Sequence, residues 1–374
     1  MKKAGTIFIY LSLAVLILWL VPWLYNLATL ETYSSPFTLY SPVIHDFTYL
    51  DRGDGRDFNF IDRQGGVHGD EVQPLFYSSV LVSKGTFPDS LNGRAITPED
   101  ADLHSTILTA RPVEIVKKDV PVRLLMESVP VRLELQDSEE AMVFRKHGIS
   151  IYRMEGNEFL KDKSEKLTAD LSGLGFKFPV RLSAGNPSHR KAYDEGYLLT
   201  DSEDKLFHVK QVNGNVMCEY FPQADGLSLK HLMITEFEDH KTLGFLVTGD
   251  GFLAVLFTDG KVVRTAVPYD PAKEHLMVVG DMFYQTIKIH DNEKERFYAL
   301  DSEDFSMVDS MDRTYPIEDG VNLCKYIFPC RIHFTSSNDG FVKMRFKDFS
   351  WIGLAVDILV AGAIILVRRR RRRV

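Results

Sequence analysis

Cysteine is scarce in this chain, with 3 residues among 374. A small secreted fold held together by disulfide bonds is therefore excluded. The sequence also lacks the Gly-x-Ser-x-Gly turn of the α/β-hydrolases, the His-Glu-x-x-His zinc helix, the Walker loop and the Gly-x-Gly-x-x-Gly dinucleotide turn. Its 11 histidines are dispersed without the spacing of metal ligands. The sequence thus indicates no common class of enzyme, and we expect neither a cofactor nor a metal.

Charge is distributed unevenly along the chain. The formal net charge is −8, but the basic residues at the two ends contribute +8 and Asp357 contributes −1, so the rest carries −15. An acidic body repels phosphate backbones, because affinity for nucleic acids depends on neutralising them with Lys and Arg. Hydrophobic residues make up 45% of the composition, which is typical of a globular protein. Nucleic acid is therefore not an expected partner.

A long apolar run opens the chain. Residues 6–28 contain no charge and are long enough to cross a bilayer, which needs about 20 residues. Lys2 and Lys3 precede the run, and Trp23 suits the interface at its outer end. A cleaved signal peptide is the alternative, since it also has basic residues before an apolar core. We favour a membrane span because the run is longer than such a core and no Ala-x-Ala-like cleavage site follows it.

A second apolar run, residues 351–367, leads directly into six consecutive arginines. Its 17 residues are at the short end of the range for a membrane span. Beside an apolar helix, such a basic tail is typical of a stop-transfer anchor that stays in the cytoplasm and attracts anionic lipid headgroups. The residues of this tail are Arg368, Arg369, Arg370, Arg371, Arg372 and Arg373. With Lys2 and Lys3 they predict a two-pass protein of the cytoplasmic (inner) membrane, with both termini in the cytoplasm and a large periplasmic domain.

Asp357 lies inside the second apolar run. A carboxylate at the centre of a membrane helix costs about 2.5–3.5 kcal/mol, so it normally faces a partner helix, water or a cation. Small residues on the same helix permit close helix packing. These are Gly353, Ala355, Ala361, Gly362 and Ala363. We therefore predict that Asp357 contacts a membrane partner; the alternative is a position near enough to the outer face to be hydrated.

The segment between the two runs contains a recurring unit of strand, turn and strand. Counted from Met142, Tyr197, Phe245, Phe297 and Arg331, its intervals are 55, 48, 52 and 34 residues. Propeller blades repeat at about 40–50 residues with four strands each. We therefore predict a mainly β fold, with an irregular β-propeller-like extracytoplasmic domain, a small α+β N-terminal part and two flanking transmembrane helices. A β-sandwich or meander is the alternative.

Two helices are expected within this segment. Thr97 and Pro98, followed by acidic residues, predict a helix start, and we extend that helix to Arg111. Residues 164–173 predict a second helix, which interrupts the strands. The expected domains are then a cytoplasmic N-terminus (1–5), a first span (6–28), a membrane-proximal α+β region (31–112), a propeller-like domain (113–349), a second span (351–367) and a cytoplasmic Arg tail (368–374).

Cys324 and Cys330 enclose five residues, and an oxidising compartment permits a small disulfide loop between them. Two reduced thiols are the alternative. Cys218 has no nearby partner in the sequence, and we expect it to be a buried small hydrophobic residue.

Two acidic turns, residues 201–204 and 301–304, share the sequence Asp-Ser-Glu-Asp. Clustered carboxylates can hold calcium through oxygen ligands, but these turns lack the glycine and terminal Glu spacing of an EF-hand loop. Ordinary solvated turns between strands are the favoured interpretation.

Several local strings resemble a family of two-pass Bacteroidetes membrane proteins that contain a domain of unknown function. The strings are residues 21–25 (Val-Pro-Trp-Leu-Tyr), residues 36–42 (Pro-Phe-Thr-Leu-Tyr-Ser-Pro), and residues 124–128 (Leu-Leu-Met-Glu-Ser) with Phe144 and Arg145 downstream. Genes of that family often stand beside those of ABC-transporter components. The resemblance implies a role near a transporter and transfers no catalytic residue.

These observations predict a non-catalytic, membrane-anchored accessory protein whose periplasmic domain binds a partner or ligand in association with an ABC-type permease. An extracytoplasmic ligand sensor is one alternative, although the predicted cytosolic segments are too small to be its output domain. A periplasmic hydrolase is another, and it requires acidic or His side chains to converge in one pocket.

Overall fold

The computed structural model describes residues 2–29, 35–51, 59–115, 120–129, 138–188, 191–291, 294–314, 326–334 and 342–371. The chain divides into two compact units. The first unit comprises Met1–Ser35, Pro112–Val116 and Thr314–Val374 and contains both terminal helices. The second unit comprises Pro36–Arg111 and Lys117–Arg313 and contains most of the strands.

The second unit is built from antiparallel sheets whose strands follow one another along the chain. Sheet 1 contains β1 (Thr38–Tyr40), β2 (Phe47–Asp51), β3 (Asn59–Asp62) and β4 (Val67–His68), and sheet 2 contains β8 (Val122–Leu125), β9 (Glu140–Arg145), β10 (Gly148–Arg153) and β11 (Glu158–Phe159). Sheet 3 contains β12 (Leu182–Gly185), β13 (Tyr197–Thr200), β14 (Leu206–Val212) and β15 (Asn215–Tyr220), and sheet 4 contains β16 (His231–Ile234), β17 (Thr242–Val247), β18 (Phe252–Phe257) and β19 (Val262–Pro268). Sheet 5 contains β20 (His275–Gly280), β21 (Tyr284–His290), β22 (Lys294–Asp301) and β23 (Met307–Thr314), and β7 (Thr106–Ala110) pairs with its first strand, β20. The mainly β class is confirmed. No closed barrel or propeller is identified among the described residues, so the arrangement of these sheets as blades stays a prediction.

The remaining elements are short hairpins and helices. They are the hairpin β5 (Ser90–Leu91) and β6 (Arg94–Ala95), the hairpin β24 (Arg331–His333) and β25 (Arg345–Lys347), and the helices α1 (Lys2–Thr29), α2 (Ser78–Lys84), α3 (Pro98–Leu103), α4 (Pro112–Ile115), α5 (Lys161–Gly173) and α6 (Trp351–Arg371). The predicted helix at residues 164–173 is thus confirmed as α5. It packs on sheets 2 and 3 through the buried Leu167 and Leu171.

The recurring strand–turn–strand units are confirmed as hairpins, but they do not occupy the same strands in every sheet. The unit is formed by the second and third strands of sheets 2, 3 and 4. In sheet 5 it is formed by the third and fourth strands, β22 and β23, one strand later than in the other sheets. The unit at residues 331–346 begins with β24 in the first unit, and its turn lies outside the described residues. The sequence repeat therefore follows the strand order in sheets 2, 3 and 4 and is shifted by one strand in sheet 5.

The helix predicted from Thr97 to Arg111 begins as expected and ends early. Thr97 forms a capping box with Asp100, whose backbone N–H donates to the Thr97 hydroxyl at 3.1 Å. The helix stops at Leu103, and the extension to Arg111 was wrong because residues 106–110 form β7 and pair with β20. The β-branched residues Thr106, Ile107 and Thr109 favour a strand, and the edge of sheet 5 at β20 is available for pairing.

Apolar clusters lie where neighbouring sheets meet. Tyr40 and Phe47 of sheet 1 pack with Phe297 and Ala299 of sheet 5. Another cluster joins sheets 3 and 4 through residues such as Leu198 and Leu246. The sheets of the second unit are therefore held together by side chains on both of their faces, which explains strands such as β17 in which every residue is buried.

Helix α1 is long and apolar enough to cross a membrane over Ala4–Tyr25, with a mean hydropathy of 2.4. A signal sequence would have the same features. The apolar part of α6, Trp351–Val367, is shorter than the length that identifies a span. Of the two predicted membrane spans, only the first, in α1, is therefore supported. The orientation of the termini stays a prediction.

Candidate functional site

A cavity of about 310 Å³ lies inside the second unit, between sheets 4 and 5. Its walls come from the loop between β16 and β17, the turns that follow β20 and β22, and the residues around α3 and β7. Six of its lining side chains are ionisable: Arg94, His104, Asp239, Lys241, Asp281 and Glu303. Four phenylalanines and Met282 supply most of the apolar wall. Pockets of this size, with a few fixed polar groups in an apolar surround, are typical of small-molecule sites.

Asp281 occupies the tight turn between β20 and β21. Its Oδ1 accepts hydrogen bonds from the backbone N–H groups of Phe283 at 2.7 Å and Tyr284 at 2.9 Å. Burial raises the pKa of the Asp281 carboxyl to about 6, although the two backbone hydrogen bonds lower it. No neighbouring charge contributes to this shift, so the carboxyl lacks a close cationic partner among the described residues.

A chain of hydrogen bonds fixes this turn from behind. Thr106 Oγ1 donates to Gln285 Oε1 at 2.9 Å, Gln285 Nε2 donates to Ser302 Oγ at 3.1 Å, and Ser302 Oγ donates to the Asp281 carbonyl at 2.7 Å. Gly280 makes room for Gln285, since a Cβ at position 280 would lie 1.9 Å from Gln285 Oε1. The carboxyl of Asp281 is therefore presented by a preorganised backbone.

His104 and Asp239 form a second polar pair in the cavity wall. His104 follows the end of α3, and its Nδ1 lies 3.5 Å from Asp239 Oδ2. This nitrogen is buried and makes no hydrogen bond within the described part of the chain. Asp239 belongs to the loop between β16 and β17, so the pair connects the helical region to sheet 4.

Three aromatic rings form a corner of the cavity. Phe305 lies 6.3 Å from Phe245 and 5.7 Å from Phe257, measured between ring centroids, and its plane is inclined to theirs by 72° and 80°. Phe305 has a φ of +58°, which is rare for a bulky residue, and it is 4% exposed. The turn after β22 therefore holds this ring against sheet 4 in an uncommon backbone conformation.

Of the residues singled out from the sequence as candidate sites, only Ser302 and Glu303 of the acidic turn at 301–304 line this cavity. Cys324 lies outside the described residues; Cys330 is half-buried and forms no disulfide within them, so the bridge stays a prediction. Cys218 is half-buried in β15, and burial raises the pKa of its thiol to about 12. Asp357 is exposed on α6, and its contact with a partner is untested.

The predicted orientation anchors are only partly described. Lys2 and Lys3 begin α1, and Arg368, Arg369, Arg370 and Arg371 end α6. Arg372 and Arg373 lie outside the described residues. Their role in setting the orientation stays a prediction.

The carboxylate of Asp201 stabilises the acidic turn at residues 201–204 through hydrogen bonds to the backbone. Asp201 is fully buried; its Oδ1 accepts from the backbone N–H groups of Glu203 at 2.8 Å and Lys205 at 2.9 Å, and its Oδ2 accepts from that of Lys177 at 3.1 Å. Within the described residues no group of three or more His, Cys, Asp and Glu side chains is arranged to hold a metal ion. The carboxylate oxygens of Asp201 are engaged by the backbone.

Replacing Asp201 with Ala is expected to lower the free energy of unfolding by about 2 kcal/mol, because three buried backbone N–H groups lose a charged acceptor. Urea unfolding of the wild type and the variant, each with calcium and with a chelator, measures this loss. We expect the loss to be the same in both conditions. A wild-type stabilisation by calcium that disappears in Asp201→Ala would instead identify the turn as a calcium site.

The second unit is thus a mainly β domain with an internal polar cavity, joined in the chain to an N-terminal helix of membrane-spanning length. The chain belongs to a family defined by a domain of unknown function, DUF4857, whose profile matches residues 37–300. The match includes His104, Asp239 and Asp281 and ends before the turn that carries Phe305.

No curated protein matches the chain. Among solved structures, the hydrazine synthase of Kuenenia stuttgartiensis matches with 13% sequence identity and a TM-score of 0.27, over 53% of this chain and 51% of that one. The match therefore spans about half of the solved chain, and a score this low carries no argument about fold or function.

Proposed function

We propose that this protein is a non-catalytic accessory protein, anchored in the cytoplasmic membrane, whose β domain binds a small ligand outside the cell membrane in association with an ABC-type permease. The observation that carries the binding role is the cavity of about 310 Å³ with Asp281 held in a preorganised turn. Such a site can bind and orient a ligand without moving any strand.

The proposed anchoring rests on α1. Its apolar side chains are turned outward, with Phe8 and Tyr10 each 69% exposed, which is costly in water and favourable in lipid. We further propose that α6 provides a second, shorter span, with the arginines after Val367 against anionic headgroups in the cytoplasm. If α1 is instead a cleaved signal sequence, α6 becomes the remaining anchor.

We also propose that the five sheets form an irregular propeller-like ring. Contacts between successive sheets support this arrangement. A bridge between Glu127 and Gln211 links sheets 2 and 3, and Arg181 Nη2 donates to the Leu229 carbonyl at 2.6 Å between sheets 3 and 4. Phe305 joins sheets 5 and 4, and the backbone N–H of Tyr40 in sheet 1 donates to Thr286 Oγ1 in sheet 5 at 3.0 Å. A ring also requires sheet 1 to meet sheet 2.

Partner binding is tested by replacing Asp357 with Leu in the full-length chain. Crosslinking of native membranes, purification in mild detergent and mass spectrometry would measure the recovery of ABC-type permease subunits. We expect recovery to fall by about tenfold, because an intramembrane polar contact contributes roughly 1–2 kcal/mol. The change Val356→Leu at the preceding position is the matched control and should leave recovery unchanged.

Two results would contradict the proposal. Recovery of no permease subunit with the wild type would remove the association, and equal recovery with Asp357→Leu would remove the role of Asp357. The orientation has its own test in spheroplasts, whose outer membrane has been removed: added protease should cleave the β domain, whereas a reporter fused after Val374 should stay inaccessible.

A periplasmic hydrolase is the second candidate, because His104, Asp239 and Asp281 line one cavity. A carboxyl whose pKa is about 6 is suited to general acid–base chemistry near neutral pH. Turnover of an ester, amide or glycoside that is abolished by Asp281→Asn would favour this candidate over the binding role.

A further inference from the structure

The cavity between sheets 4 and 5 combines features that point to one class of ligand. A carboxyl is presented at one wall, and another is formed by the Phe305 ring with the Phe245 and Phe257 rings inclined to it. Carboxylates with aromatic faces are the usual means by which proteins bind organic ammonium groups, since ring faces attract cations. We infer that this cavity binds a small organic cation, an alkyl- or quaternary amine, whose charge pairs with Asp281 while its apolar part lies against Phe245, Phe257 and Phe305. The inference rests on the proposed binding function.

The charge of Asp281 supports this choice. Its Oδ1 is engaged by two backbone N–H groups, and no hydrogen bond of Oδ2 is found among the described residues. Arg94 and Lys241 also line the cavity, but both side chains are exposed, and neither contributes to the pKa of Asp281. Neither cation forms an ion pair with Asp281 among the described residues, so a ligand cation can supply the counter-charge.

The other charged side chains of the cavity do not reverse its preference for a cationic ligand. Asp239 and Glu303 add two further carboxyls to the lining, so its three acidic residues outnumber Arg94 and Lys241. An anionic ligand would meet the Asp281 carboxylate, where its desolvation would be unfavourable. A neutral ligand would leave the Asp281 carboxylate buried without a counter-charge.

Binding is tested on the full-length protein in mild detergent by isothermal titration at pH 7.5. The probes are two cations, choline and n-butylamine, their neutral counterparts 3,3-dimethylbutan-1-ol and 1-butanol, and the anion butyrate. We expect at least one cation to bind at least about tenfold more tightly than its neutral counterpart. Asp281→Asn should remove that advantage, whereas Asp259→Asn, at an exposed turn carboxylate, should preserve it.

A second readout is the pH dependence of binding. Affinity for the cation should fall as the pH is lowered through about 6, because Asp281 becomes protonated. Arg94, His104, Asp239, Lys241 and Glu303 also face the cavity, so the decrease is assigned to Asp281 only if it is absent in Asp281→Asn. An unchanged circular dichroism spectrum shows that the variant is folded.

The outcomes separate the two levels of the proposal. Equal binding of cations and alcohols, or binding of butyrate alone, overturns the inference about charge and preserves the ligand-binding cavity. Cation binding that persists in Asp281→Asn overturns the assignment of the site. If no probe of any charge binds, both the inference and the proposed binding function fail.

Discussion

Replacing Glu295 with Gln is expected to lower the free energy of unfolding of the β domain by about 3–5 kcal/mol, the cost of removing one partner of a buried ion pair. Glu295 lies in β22 and is fully buried. Its Oε2 lies 2.7 Å from Lys288 Nζ, and its Oε1 lies 3.0 Å from Arg313 Nη1. The neutral amide would remove the carboxylate that both cations contact, beside the rings of Phe297 and Tyr49.

This ionic group connects two sheets. The Arg313 guanidinium carbon lies 5.2 Å from the centroid of the Tyr49 ring in sheet 1 and 5.4 Å from that of Phe297 in sheet 5. Cations over aromatic faces contribute about 0.5–2 kcal/mol each, depending on how far they are desolvated. Loss of Glu295 should therefore weaken the contact between sheets 1 and 5 as well as the ion pairs.

Urea unfolding followed by circular dichroism measures the effect. Tryptophan fluorescence is unsuitable, because the three tryptophans, Trp19, Trp23 and Trp351, lie in the terminal helices α1 and α6. Glu158→Gln is the matched control: its pair with Arg153 is solvent-exposed, and exposed pairs contribute about 1 kcal/mol or less.

A compensating variant separates charge from packing. Replacing Lys288 and Arg313 with Met and Glu295 with Leu should recover most of the lost stability, because an apolar substitute of similar volume avoids desolvation of the charges. A loss below about 1 kcal/mol in Glu295→Gln would contradict a role for the buried charge in joining the sheets.

Local patterns in the sequence were sufficient to predict the hairpins. Runs such as residues 244–257, with Gly and Asp between two apolar segments, contain both the turn chemistry and the strand preference of β17 and β18. The start of α3 was equally local, since Thr97 caps the helix within four residues. Its end was not local, because β7 exists as a strand through pairing with β20, far along the chain.

The cavity could not be predicted from the sequence. His104, Asp239 and Asp281 stand on three separate elements, and each taken alone is a common loop residue. The only local sequence signal was Gly280 followed by Asp281, which indicates a turn after the buried strand β20. Buried charges such as Glu295 were missed for a related reason: a charged residue in a strand indicates an exposed face unless its partners are known.

Replacing Lys191 with Met should produce a second large loss, about 3–5 kcal/mol at neutral pH, by removing the cation from a pair of buried carboxylates. Lys191 Nζ lies 2.6 Å from Asp194 Oδ2 and also contacts Glu236 Oε1. The three side chains are 10%, 3% and 4% exposed. The group joins the segment before β13 in sheet 3 to the loop after β16 in sheet 4.

The loss should depend on pH in a defined direction. Burial raises the pKa of Glu236, and Lys191 lowers it, so the variant leaves the pKa higher still. A carboxyl whose folded-state pKa exceeds its unfolded value stabilises the fold below the unfolded pKa and loses that contribution as the pH rises through the folded one. The difference between variant and wild type should therefore be larger at pH 8 than at pH 5.

Urea unfolding at pH 5, 6.5 and 8 measures this trend, with Lys161→Met as the control at an exposed i,i+4 pair. The double variant Lys191→Met/Glu236→Gln should lose most of the pH dependence, since the titrating group is gone. Two other charged groups lie near Glu236. One is Asp194, and the other is the ion pair of Glu195 with Lys210. The backbone N–H of Glu195 donates a hydrogen bond to Glu236 at 3.0 Å. An equal loss at all three pH values would show that Lys191 acts by packing alone, because buried carboxylates left without a cation must respond to protonation.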